Sequence, residues 1–115
     1  MTPDGPAPGD EPSDLTLAEV LAAAAGDLSE ISEAADGGAT IWLRGDRPFA
    51  VLTGDVAEFR LDPLVAGAAL RTPDASASLR GPDWVAFRPA VLDDGGVDRA
   101  EAWFLSAHRR AAAKP

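Results

Sequence analysis

The sequence contains no cysteine, no tyrosine, a single histidine and a single lysine. Lack of cysteine removes disulfides, thiolate nucleophiles and cysteine-type zinc centres, and with His108 alone zinc chemistry is close to closed as well. No run approaches the roughly 20 consecutive apolar residues of a membrane helix. The opening MTPDGPAPGDEPSD has neither the basic nor the apolar region of a signal peptide, so a cytoplasmic protein is expected. Basic residues are missing from the first 43 positions, which hold nine Asp and Glu. A phosphate-binding patch needs clustered Lys and Arg, so nucleic acid is not an expected partner.

What is present fits one core. A chain of 115 residues has room for a single domain. Apolar residues make up 46% of it, but alanine is a large share, which leaves four Phe and three Trp as the bulkiest core-formers. The net charge of −9 resides in the N-terminal third, because from Arg44 onward ten acidic residues balance ten basic ones.

Residues 1–14 are too poor in large apolar side chains to offset ordering entropy and are expected to form a disordered acidic tail. Residues 15–112 form the expected single domain. Thr16-Leu17-Ala18-Glu19 matches a capping box, flanked by Leu15 and Val20 at staple positions, so a helix starts at Leu17. Residues 27–36 are compatible with more helix or with an irregular strand.

Three strand-like runs follow Gly37-Gly38: Ala39 to Arg44, Pro48 to Thr53 and Val56 to Leu61. The pairs Gly45-Asp46 and Gly54-Asp55 suit two-residue hairpin loops. Loops of that length set Thr53 against Val56, Ala50 against Phe59, Trp42 against Phe49 and Ile41 against Ala50. One face then carries Ile41, Leu43, Ala50, Leu52, Ala57, Phe59 and Leu61, the expected core. Trp42, Arg44, Arg47, Phe49, Val51, Thr53, Glu58 and Arg60 fall on the other.

Asp62-Pro63 starts a short helix to about Arg71, and 72–82 reads as a loop. Alternation over Asp83 to Arg88 predicts a fourth strand, with Val85 and Phe87 inward and Trp84 and Arg88 outward. A last helix begins near Val97, with Arg109 and Arg110 at its C-terminal end. The order α-β-β-β-α-β-α describes a two-layer α+β domain, an antiparallel sheet of about four strands with helices on one face.

Several strings carry a family likeness. Gly37-Gly38, Gly54-Asp55, the run from Gly81 through Pro82, Asp83, Trp84, Val85 and Ala86 to Phe87, and the run from Arg99 to Phe104 followed by Ala107 and Arg109 resemble landmarks of two groups of small bacterial proteins. These are the MmcQ/YjbR-like proteins and the luciferase-domain proteins. The resemblance spans roughly Leu17 to Ala111 and implies a frataxin-like packing of helices on an antiparallel sheet, with a mostly undefined role. It does not imply light-emitting chemistry, since the chain is too short for a flavin-dependent barrel. The DNA binding suspected for some MmcQ/YjbR-like proteins would need a basic patch that is missing here.

No catalytic, metal or cofactor signature stands out. His108 has no nucleophile at helical spacing, since Ser106 is too near in sequence to share its face. Asp93, Asp94 and Asp98 lack the ligand spacing of a calcium loop and suit turn and capping roles. The first helix, up to the Gly26-Asp27 break, holds only Glu19, short of a frataxin-type acidic ridge. Arg44-Gly45-Asp46 is read as a hairpin turn rather than an adhesion motif, and the glycines show no phosphate-loop spacing.

One constellation remains: Trp42, Phe49, Arg60, Trp84 and Arg88, all expected on the sheet face away from the core. Rings and cations together suit a small anionic ligand or an acidic protein segment. The same face is also consistent with cover from residues 27–36, from the 72–82 loop or from a second copy in a homodimer. A non-enzymatic binding or protein-interaction module is therefore the leading expectation. Its rivals are a small-molecule or enzymatic domain with a pocket between the sheet and the last helix, and an acidic nucleic-acid mimic.

Overall fold

In a computed structural model, residues 15–112 of the chain are described. The expected tail at 1–14 lies outside them. Helix α1 (Leu17–Gly26) begins as the capping box requires, with the Thr16 hydroxyl accepting from the Glu19 amide at 3.1 Å and the Glu19 carboxylate accepting from the Thr16 amide at 2.9 Å. Leu17, Val20, Leu21 and Ala24 form its buried stripe.

Four strands follow as a meander: β1 (Ser32–Asp36), β2 (Ala39–Arg44), β3 (Arg47–Thr53) and β4 (Val56–Arg60). Each is joined to the next by a two-residue loop, as the pairs Asp36 with Ala39, Arg44 with Arg47 and Thr53 with Val56 show. Gly45 and Gly54 open the second and third loops at φ of +64° and +60°, a region in which a side chain is strained. Helix α2 (Pro63–Ala69) starts under an Asp62 cap, and β5 (Ala75–Ala77) and β6 (Trp84–Phe87) complete the sheet before α3 (Asp94–Ala112). The Asp93 carboxylate caps α3 by accepting from the Gly96 amide at 2.7 Å.

The strands form one antiparallel sheet in the order β1-β2-β3-β4-β6-β5. The class is α+β as expected, but the sheet has six strands rather than about four. The added strands are β1, which settles the open 27–36 segment in favour of a strand over its second half, and β5, inside the expected 72–82 loop. Helix α3 starts at Asp94, three residues before the expected Val97.

Helices α1 and α3 contact each other, and their buried side chains share one core with Ala50, Leu52, Ala57, Phe59, Val85 and Phe87 of the sheet. Ala66 and Ala69 of α2 join the same core. Five T-shaped ring contacts tie α3 to the strands: Phe104 to Trp42 and Phe49 at 5.3 and 5.2 Å, Trp103 to Phe87 and Phe59 at 5.2 and 6.1 Å, and His108 to Phe49 at 5.4 Å. No helix among the described residues is long and apolar enough to cross a membrane.

Candidate functional site

The expected constellation divides between the two faces of the sheet. The pairing of β3 with β4 is the one expected from the Gly54-Asp55 loop. Between β2 and β3 it is not, because Trp42 lies against Ala50 while Leu43 lies against Pro48, which leaves Phe49 as an extra, unpaired residue. This is a β-bulge. Its consequence is that Phe49 and Ala50 both turn to the helices, beside Trp42.

Trp42 is 3% exposed and Phe49 1% exposed, and both pack on Phe104. The assignment of these two residues to the outer face is thereby corrected. Ile41 and Leu43, expected in the core, lie on the opposite face from Trp42. Arg44 and Arg47 are likewise brought to the helix side. Arg44 Nη1 donates to the His108 carbonyl at 3.1 Å, and Arg47 donates to the Ala111 carbonyl at 3.1 Å, so both arginines serve carbonyls at the end of α3.

His108 is 6% exposed, with its ring edge on Phe49. Its Nδ1 accepts from Arg44 at 3.3 Å, which makes Nε2 the donor to the Ser29 carbonyl at 3.0 Å and the Glu30 carbonyl at 3.3 Å. Glu30, at φ +55°, also reaches Arg44 with its carboxylate. The lone histidine thus ties the segment ahead of β1 to α3 and β2. Its partners among the described residues are a guanidinium, two carbonyls and a phenyl ring, none of them a nucleophile.

Arg60 and Trp84 stand opposite each other on β4 and β6, on the outer face. Arg88, one residue beyond β6, pairs with the exposed Asp55 at 3.6 Å, away from the Arg60 and Trp84 end of the strand. Between them lies Glu58, which accepts from Ser78 and, at 2.9 Å, from Arg80 Nε. The Arg80 guanidinium lies 5.9 Å from the centre of the Trp84 ring. Part of the 72–82 segment therefore lies over this face, and Arg80 was the residue that sequence reasoning missed. No periodic signal marks it, since it belongs to the irregular segment between β5 and β6. Ile41, Val51 and Ala86 continue the face, with Val51 buried and the other two half-buried.

An open cleft of about 360 Å³ lies elsewhere, between the start of α1, the β3–β4 loop and the segment after β6. Of its polar groups, the Thr16 hydroxyl serves the capping box and Asp55 faces Arg88. Among the described residues no group of three His, Asp or Glu is placed to hold a metal ion. No protein-family model, curated protein or solved structure matches the chain.

Proposed function

We propose that this protein is a non-enzymatic interaction module, and that the outer sheet face around Trp84, Arg60 and Arg80 meets its partner. The observation that carries the reading is the one-sided placement of the helices. The buried side chains of all three helices belong to the core on the other face, while the half-buried Ile41, Ala86 and Trp84 run across the outer one, where Val51 is already covered. A face that joins apolar residues and a ring to arginines suits a protein segment with both apolar and acidic groups, or a small anionic ligand. Arg88 sits at the far end of the same face. Trp42 and Phe49 have no part in the surface. Kinship with the MmcQ/YjbR-like and luciferase-domain proteins belongs to the same proposal and rests on the strings quoted above.

The reading is tested by placing a photo-crosslinking amino acid at position 60 and, separately, at exposed position 101 on α3. Crosslinked products from position 60 that are missing from position 101, and that disappear with Trp84→Ala, support the face. Equal products at both positions, or none at 60, overturn it.

A further inference from the structure

We infer that strand β1 is an open edge that receives an extended, cationic segment of a partner protein as a seventh strand, an inference that rests on reading the chain as an interaction module. Among the described residues β1 pairs with β2 on one side only and lies at the end of the sheet. All five of its residues are exposed. In an antiparallel pair every second residue of an edge strand directs its N–H and C=O away from its neighbour, so β1 presents a row of backbone groups to solvent.

Sheet edges are commonly blunted by shortness, charged side chains, proline or a bulge. The opposite edge, β5, is three residues long. β1 is longer, pairs with β2 without a bulge and contains no proline; its only charges are Glu33 and Asp36, which guard the edge against acidic or like strands and leave it open to a cationic one. Its side chains are small or acidic: Ser32, Ala34 and Ala35, with Glu33 and Asp36.

Charge selects the occupant. From Asp27 to Leu43 the sequence has Asp27, Glu30, Glu33 and Asp36 and no Lys or Arg. Glu30 is engaged by Arg44, whereas no ion pair reaches Glu33 or Asp36 from the described residues. A second copy of β1 would double this carboxylate band, and like charges brought together across strands are destabilising. A strand bearing Lys or Arg is attracted instead.

The pleat adds a pattern. Glu33 shares the face of Trp42, its partner in β2, while Ala34 lies beside Ile41 on the outer face. An incoming side chain opposite Ala34 would lean over that small residue onto the half-buried Ile41. The preferred segment therefore alternates cationic and β-branched apolar residues, with a cation against Glu33 and an apolar group against Ala34, while Asp36, on the face of Ala34 at the end of the strand, draws the same cations at longer range.

The test uses the full chain and a fluorescently labelled seven-residue peptide of alternating lysine and valine, with a glutamate–valine peptide as control. Binding is followed by anisotropy at low and raised salt, and amide hydrogen exchange is measured residue by residue. The expected result is binding of the lysine peptide alone, slowed exchange confined to amides of β1, and a loss of about tenfold or more with Glu33→Lys/Asp36→Lys. The variant's circular dichroism verifies that it is folded. No binding, binding that leaves the β1 amides unprotected, or unchanged affinity in the folded double variant overturns the inference. So does self-association of the chain through protected β1 amides, which would make a second copy the occupant. If the β1 test fails while position 60 still yields its specific crosslinks, the edge is lost and the module reading stands. Peptide binding at β1 without those crosslinks keeps the edge and removes the outer face.

Discussion

His108 shows how little of a side chain's role its type discloses. A lone histidine near the end of an amphipathic helix has no evident partner in the sequence, yet here both ring nitrogens are used, across 64 and 79 positions of chain. His108→Phe would keep a ring against Phe49 but strip the donor from the Ser29 and Glu30 carbonyls. Urea unfolding should show a loss of about 1–3 kcal/mol, and parental stability would show that these hydrogen bonds contribute nothing. Arg99 is the opposite case. Its Nε is buried without a hydrogen-bond partner while its guanidinium lies 5.5 Å from the centre of the Phe87 ring. Arg99→Met should retain the packing and remove the orphan donor, leaving stability unchanged or raised by about 1 kcal/mol. Trp42 and Trp84 complete the contrast. Trp42→Ala empties the core and should cost about 3–5 kcal/mol, whereas Trp84→Ala, on the half-exposed outer face, should cost about 1–2 kcal/mol. Equal losses in thermal or urea unfolding would contradict the faces assigned to them.

Elements were legible where a local rule governs them. The capping box placed α1, Asp62-Pro63 placed α2, and the two Gly-Asp loops placed the turns of β2, β3 and β4. β1 escaped because Ser-Glu-Ala-Ala-Asp is poor in the β-branched and aromatic residues that mark strands, and its pairing is supplied by β2. The face of Trp42 escaped for another reason. A loop length fixes register only as far as the next bulge: Leu43 with Pro48 and Arg44 with Arg47 pair as the turn sets them, and the extra residue at Phe49 displaces every pair beyond, from Trp42 with Ala50 onward, by one residue. Two of the five residues of the expected site were therefore core. The same shift brings Arg47 to α3, so the β2–β3 hairpin and the end of the helix should open together. Arg44→Ala, which removes contacts to the His108 carbonyl, its ring and Glu30, should speed hydrogen exchange in the last turn of α3 and at the hairpin tip, with little change in α1. Faster exchange throughout the protein would show a global rather than a local effect.

At the scale of the molecule, the charge map read from the sequence acquires a location. Ten acidic and ten basic residues balance from Arg44 onward, and the described part of the excess, Glu19, Asp27, Glu30, Glu33 and Asp36, lies on α1, on β1 and between them. Self-repulsion in that region weakens the fold and is screened by salt. Raising NaCl from about 10 mM to about 0.5 M should increase the unfolding free energy by about 1 kcal/mol, and a decrease would mean that the ion pairs outweigh the repulsion. The ring contacts of α3 carry a different consequence, one of timing. Phe104 and Trp103 cover Trp42, Phe49, Phe59 and Phe87, yet α3 is the last of the described elements to be synthesised. On the ribosome, the meander can pair its strands while its aromatic side still lacks this cover. A nascent chain stalled with α3 still inside the ribosome should present that side to a chaperone, and release of α3 from the ribosome should end the exposure.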